Sequence, residues 1–233
     1  MTARAAVAEG IATAFLLIAV VGSGIMAERL SGGNVALALL ANALATGGAL
    51  FALIVTFAYQ SGAHMNPLVT VMAAIGGEFS WTKVPAYIVA QITGAIGGVW
   101  IAHAMFAMPI LETSAHQRSG IGQWIAEAVA TFGLLLVIKG SAKLGTQAVA
   151  GAVAAYITGA YWFTASTSFA NPAVTLARSL TDSFAGIRPA DAPGFILAQI
   201  AGALLACAVV VPNPLGRLQR VSMALRSSWS LLR

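Results

Sequence analysis

The sequence is poor in charge. Of its 233 residues only 8% are Asp, Glu, Lys or Arg, against about 25% in a soluble domain, which excludes an ordinary water-facing surface. Cysteine is nearly absent. Cys207 stands alone inside an apolar stretch, so neither an intrachain disulfide nor a thiolate metal cage can form. The three histidines, His64, His103 and His116, have no carboxylate at ligand spacing, so no metal and no cofactor are expected. No Ser-His or His-Glu pattern accompanies the loops, and an enzyme is not expected. The net charge of +5 comes from residues between apolar stretches and from Arg217, Arg220 and Arg226 near the end. That is membrane topology rather than a basic face for nucleic acid.

What is abundant is apolar: 59% of residues are hydrophobic, with 24 glycines suited to close helix–helix approach in a lipid bilayer. Six stretches are long enough to cross one, at 6–26, 34–58, 84–107, 121–139, 146–163 and 190–211, given about 20 residues per span. The first runs well past a signal-peptide core and reads as a retained helix. Two further apolar stretches, 67–77 and 172–181, reach only about 15 Å as helices, half the hydrocarbon thickness. Backbone that stops at mid-membrane needs protein or a watery cavity around it. The pair therefore predicts an all-α membrane protein with two re-entrant half-helices beside a pore.

The chain also repeats itself. Ala8-Glu9-Gly10-Ile11-Ala12-Thr13 matches Ala126-Glu127-Ala128-Val129-Ala130-Thr131 at an offset of 118, Asn66 matches Asn171 at 105, and Ala90-Gln91-Ile92 matches Ala198-Gln199-Ile200 at 108. The order is the same in both halves, about 6–107 and 121–211 of one channel domain, followed by a tail at 212–233. Three crossings per half make the repeat inverted. With the N-terminus inside, Arg4, Lys83, Lys139, Lys143, Arg217, Arg220, Arg226 and Arg233 are cytoplasmic, against Arg29, Arg118, Arg178 and Arg188 outside. This bias places both termini in the cytoplasm.

Each half-helix opens on Asn-Pro: Asn66-Pro67-Leu68 and Asn171-Pro172-Ala173. Asn caps a helix through its side-chain oxygen, and Pro at the first position loses no needed donor. The amide NH₂ groups then remain free to donate to a passing solute. Two helix N-termini meeting head to head repel cations and orient neutral dipoles.

Ser61-Gly62-Ala63-His64-Met65-Asn66-Pro67 and Ser168-Phe169-Ala170-Asn171-Pro172-Ala173 resemble the paired signatures of the aquaporin, or major intrinsic protein, family. The resemblance covers nearly the whole chain. It implies six tilted helices with two half-helices, one pore per subunit and a homotetramer in the bilayer. It further implies an outer constriction built by four residues, which spacing from the motifs puts at Thr46, Gly159, Ser168 and Val174. The family usually has Arg where Val174 stands, so a wide, uncharged filter is expected. Leu68 and Val174 together resemble the bacterial aquaglyceroporins associated with arsenic resistance. That implies a passive channel in a bacterial plasma membrane for small neutral solutes, arsenite, methylated arsenicals or glycerol. A water-selective or general glycerol channel is the alternative. An ion-coupled transporter would want acidic residues near the broken helices, where only Glu9 and Glu127 are candidates.

Glu9 and Glu127 are ionisable groups inside spans, and by resemblance they brace the re-entrant loops; a proton relay is the other reading. His64 is a candidate for the cytoplasmic mouth or for a fixed hydrogen bond within its loop. Arg178, one turn beyond Val174, is a candidate outer-mouth charge, or else a surface residue paired with Asp182. Leu68 either narrows the pore or repacks the half-helix junction.

Overall fold

The computed structural model describes residues 2–211; the expected tail, with Arg217, Arg220, Arg226 and Arg233, lies outside the described residues. The six expected crossings are helices α1 (Thr2–Leu30), α2 (Val35–Ser61), α4 (Val84–Met105), α5 (Ile121–Ser141), α6 (Thr146–Phe163) and α8 (Ala192–Val210). The half-helices are α3 (Pro67–Ile75) and α7 (Pro172–Arg178). Local chemistry sets these ends. Asn34 caps α2 by accepting from Leu37 N–H, and Gly62, at φ 91°, closes it in the left-handed conformation that only glycine adopts without strain. Pro stands in the first turn of α3, α4, α7 and α8, where no donor is lost.

Among the described residues, five helices are long and apolar enough to cross a membrane. The exception is α6, whose 18 residues include Thr146, Gln147, Tyr156, Thr158 and Tyr161. Its length of about 27 Å still approaches a hydrocarbon core, and two of its polar groups reach other helices: Thr158 Oγ1 lies 3.5 Å from Ala43 O of α2, and Tyr156 donates to Ala130 O of α5.

Polarity is arranged for lipid. Phe15, Leu44, Val129, Leu197 and Leu204 are exposed, whereas Glu9, Gln91, His103, Glu127, Arg178 and Gln199 are among the largest fully buried side chains. The two halves pack alike, α1 on α4 and α5 on α8. Glycine makes both approaches possible. A Cβ on Gly94 would stand 2.1 Å from the Gly10 carbonyl oxygen, and one on Gly202 2.2 Å from that of Ala128. Backbone cannot yield as a side-chain tip can. Gly94→Ala is therefore expected to lower the thermal unfolding midpoint in detergent sharply, while Gly97→Ala, where nothing lies within 4 Å, leaves it within a degree or so.

Candidate functional site: a pore at the paired half-helices

The half-helices meet at their N-termini. Asn66 Oδ1 accepts from Leu68 N–H at 2.9 Å, and Asn171 Oδ1 from Ala173 N–H at 3.0 Å and Val174 N–H at 3.4 Å. Each amide also reaches across: Asn66 Nδ2 donates to Ala170 O at 2.8 Å and Asn171 Nδ2 to Met65 O at 2.7 Å. An amide has two N–H donors, so each Asn keeps one for the cavity rather than the two expected. The other ties the loops together.

These loops hold an unusual backbone. Ala63, Met65, Thr167, Ser168 and Ala170 all have φ between 48° and 62°, which costs a non-glycine residue about 1 kcal/mol or more. Two buried carboxylates hold the conformation. Glu9 accepts from Ser61 Oγ at 2.7 Å, His64 N–H at 2.8 Å, Met65 N–H at 2.7 Å and Gln91 Nε2 at 2.8 Å. Glu127 accepts from Phe169 N–H at 2.8 Å, Ala170 N–H at 2.9 Å and Gln199 Nε2 at 2.6 Å. Gln91 and Gln199 donate onward to Thr70 and Thr175, whose hydroxyls donate to Asn66 O and Asn171 O. The same chain of bonds thus runs from carboxylate to motif in each half. Each carboxylate has its acceptor capacity taken up by its own re-entrant loop and a neighbouring Gln.

A cavity of about 220 Å³ passes the paired motifs, from Glu78 and Lys139 at one end to Arg178 at the other. Aliphatic rows from α1, α2 and α6 line it, Leu16 and Val20, Leu50 and Ile54, and Val149, Val153 and Ile157; Thr46 and Tyr161 continue the rows of α2 and α6, and the half-helix loops add His64, Asn66, Asn171 and Ser168. His64 lies on the Glu78 side, its Nδ1 3.0 Å from Thr70 Oγ1 and its ring 5.2 Å from that of Phe79. Since the Thr70 hydroxyl donates to Asn66 O, Nδ1 carries the proton in this contact. Leu68 is not a wall residue; it packs on the cluster of Met72, Ile75 and Leu135.

Of the four expected filter residues, Thr46, Ser168 and Val174 line the cavity and Gly159 does not. The wall of α6 is Val149, Val153, Ile157 and Tyr161, one residue per turn. Gly159 sits about 200° around the helix from Ile157, and a Cβ there would meet only the Phe163 ring, at 3.6 Å. Spacing from Asn171 counts through an irregular connector, so it misplaces the helical position; the four-residue periodicity back from Tyr161 was the readable signal. The Tyr161 hydroxyl is 3.2 Å from Thr46 Oγ1. The Ser168 hydroxyl is buried with no partner on the cavity wall.

Nor is this end uncharged. Arg178 is 2% exposed and lines the cavity. It is not paired with Asp182, whose carboxylate instead accepts from Ala115 N–H. Its Nε donates to Ala185 O and its guanidinium stacks 3.4 Å from the centre of the Phe169 ring. Arg118, from the loop before α5, lies 5.3 Å from the same ring and donates to Gly186 O at 2.8 Å and, by its backbone, to Asp191 at 2.9 Å. Burial lowers the Arg118 guanidinium to about 10, offset in part by Tyr161 and Glu127, so it remains cationic at neutral pH. Neither Arg118 nor the Phe169 platform has a signal in single-sequence reading.

A family profile described as major intrinsic protein matches residues 1–167. The chain belongs to the major intrinsic protein family. It is 49% identical over 207 residues to "Aquaglyceroporin AqpS" of Rhizobium meliloti (strain 1021), covering 89% of this chain and 88% of the relative. The X-ray structure of the aquaglyceroporin from Plasmodium falciparum matches the fold with a TM-score of 0.69 at 22% identity, over 89% of this chain and 95% of that one. Members of the major intrinsic protein family are channels rather than enzymes, and the expected aquaporin-type fold of spanning helices with paired half-helices is the one observed.

Proposed function

We propose that this protein is a passive channel for small neutral polyhydroxy solutes: glycerol, the undissociated trihydroxy form of arsenite and methylated arsenicals. The observation that carries this reading is the mixed lining of the cavity. A polyol presents carbon on one face and hydroxyls on the other, and the cavity offers both: aliphatic rows from α2 and α6, and the polar groups of His64, Asn66, Asn171 and Ser168 from the half-helix loops. Val174 supports it, since an Arg there would fill the space with fixed donors and charge. The similarity to a protein named an aquaglyceroporin agrees with it. Glu9 and Glu127 are both occupied as braces, which disfavours a coupling-ion site. The same reading has four copies assembled in a bacterial plasma membrane, with the Lys139 end and both termini in the cytoplasm. Stopped-flow light scattering on vesicles, solute by solute, tests it. Glycerol and arsenite should enter at least about tenfold faster than into protein-free vesicles, with no response to sodium or proton gradients. Water permeation alone would overturn it.

A further inference from the structure

The two ends of the cavity are not equivalent. At one, Arg178 is fixed by Ala185 O and by the Phe169 ring. At the other, the Lys139 ammonium is ion-paired with the Glu78 carboxylate. Both of these residues line the cavity, and Glu78 is the one acidic side chain among its lining residues.

The pair joins the two halves of the chain. Glu78 is on the turn that follows α3, and Lys139 is in the last turn of α5. The ammonium lies over the C-terminal end of α3, where a Cβ on Gly76 would be 3.4 Å from Nζ. A cation at a helix C-terminus is favoured by the helix dipole. Lys139 therefore has reason to fold inward over the half-helix, and its side chain is only 16% exposed, while that of Glu78 is 63% exposed.

Internal symmetry does not call for this contact. The position 105 beyond Glu78 is Ser183, and the position 118 before Lys139 is Val21; neither can ionise. The loops are already braced in both halves by Glu9 and Glu127. The pair is thus an addition at one mouth, made by two long side chains, one of them largely solvated. Ion pairs so exposed are weak and screened by salt. That suits a contact that breaks and reforms during conduction better than a permanent tie.

We propose that the Glu78–Lys139 pair is a latch at this mouth: closed, it holds the lysine side chain across the pathway; broken, it frees the lysine to leave. The inference rests on the reading of the cavity as a conducting pore. Flux through the protein then depends on whether Glu78 can hold Lys139, although neither residue touches the paired Asn-Pro motifs.

The test is vesicle flux of both water and glycerol for the wild type, Glu78→Gln and Lys139→Met, with thermal unfolding of each variant in detergent. Both variants should conduct about two- to fivefold faster than wild type, the factor an ion pair of this exposure supports. Raising salt from about 0.01 M to about 0.5 M should accelerate the wild type by a similar factor and leave Glu78→Gln unchanged. Equal flux in all three, or a wild type indifferent to salt, overturns the latch. So does slower flux with a lowered unfolding midpoint, which marks the pair as a structural tie. Passage of water but not glycerol in every protein defeats the polyol reading, and the water rates then decide the latch. A wild type closed to both solutes but opened by Glu78→Gln supports it, and closure of all three proteins to both overturns it along with the pore.

Discussion

Replacing Glu127 by Ala is expected to abolish conduction and to destabilise the protein by about 3–5 kcal/mol, the cost of removing one partner from a buried charged contact. The carboxylate takes three hydrogen bonds, from Phe169 N–H, Ala170 N–H and Gln199 Nε2, and all lie out of reach of bulk water. Each donor left without an acceptor costs about 1–3 kcal/mol. Ser168 and Ala170 are held at positive φ with the Asn66 bond to Ala170 O as a remaining tie across the loops, so the loop relaxes, and Asn171 loses its place opposite Asn66. Glu127→Gln should fall between, because the amide oxygen still accepts while the NH₂ opposes one of the donors. Glu9→Ala is expected to do at least as much harm, since its carboxylate takes four hydrogen bonds. Unfolding in detergent reads the stability and vesicle flux the conduction. A proton relay at these positions predicts the opposite division, intact folding with altered proton dependence.

Val174→Arg is expected to cut glycerol and arsenite flux by at least tenfold while sparing water more. Val174 is 5% exposed, on the cavity wall, and one helical turn before Arg178. An Arg there adds a long planar side chain to a space already bounded by Thr46, Tyr161 and Ser168. It also puts a second guanidinium beside the first, and like charges four residues apart on a helix repel. Both effects narrow the passage for a solute of several heavy atoms. Water, smaller and able to pass in single file between fixed donors, suffers less. Solute-by-solute light scattering separates the two, and unchanged arsenite flux would remove Val174 as the reason for polyol passage.

The differences between expectation and structure have one source. Ser168 and Val174 stand within three residues of Asn171, too close for a count to drift far, and Thr46 reaches the wall although the count to Asn66 crosses a loop with Ala63 and Met65 at positive φ. Gly159 was misassigned because the segment between α6 and Asn171 contains a turn and residues at positive φ, where counting residues says nothing about direction. Arg178 was legible as a position one turn past Val174 but not as a wall of the cavity, since its direction is set by Ala185 O and the Phe169 ring. Lys139 was counted only as a cytoplasmic charge, and its partner Glu78 lies 61 residues away.

By itself the sequence determined the apolar surroundings, the six long helices, the two half-length helices and the place of Glu9 and Glu127 inside the spans. These follow from local quantities: the length of an apolar run, an Asn-Pro at a helix start, a Glu inside a span. Only the tertiary structure decided what the pore presents to a solute. It engages one N–H of each Asn in the opposing loop, puts Tyr161 rather than Gly159 on the wall, turns Leu68 into the packing, and brings Arg178 and the Glu78–Lys139 pair to opposite ends. The physical reason is that a side chain's role at a constriction depends on which way it points and on what crosses to meet it. Those directions are fixed by contacts between segments far apart in the chain.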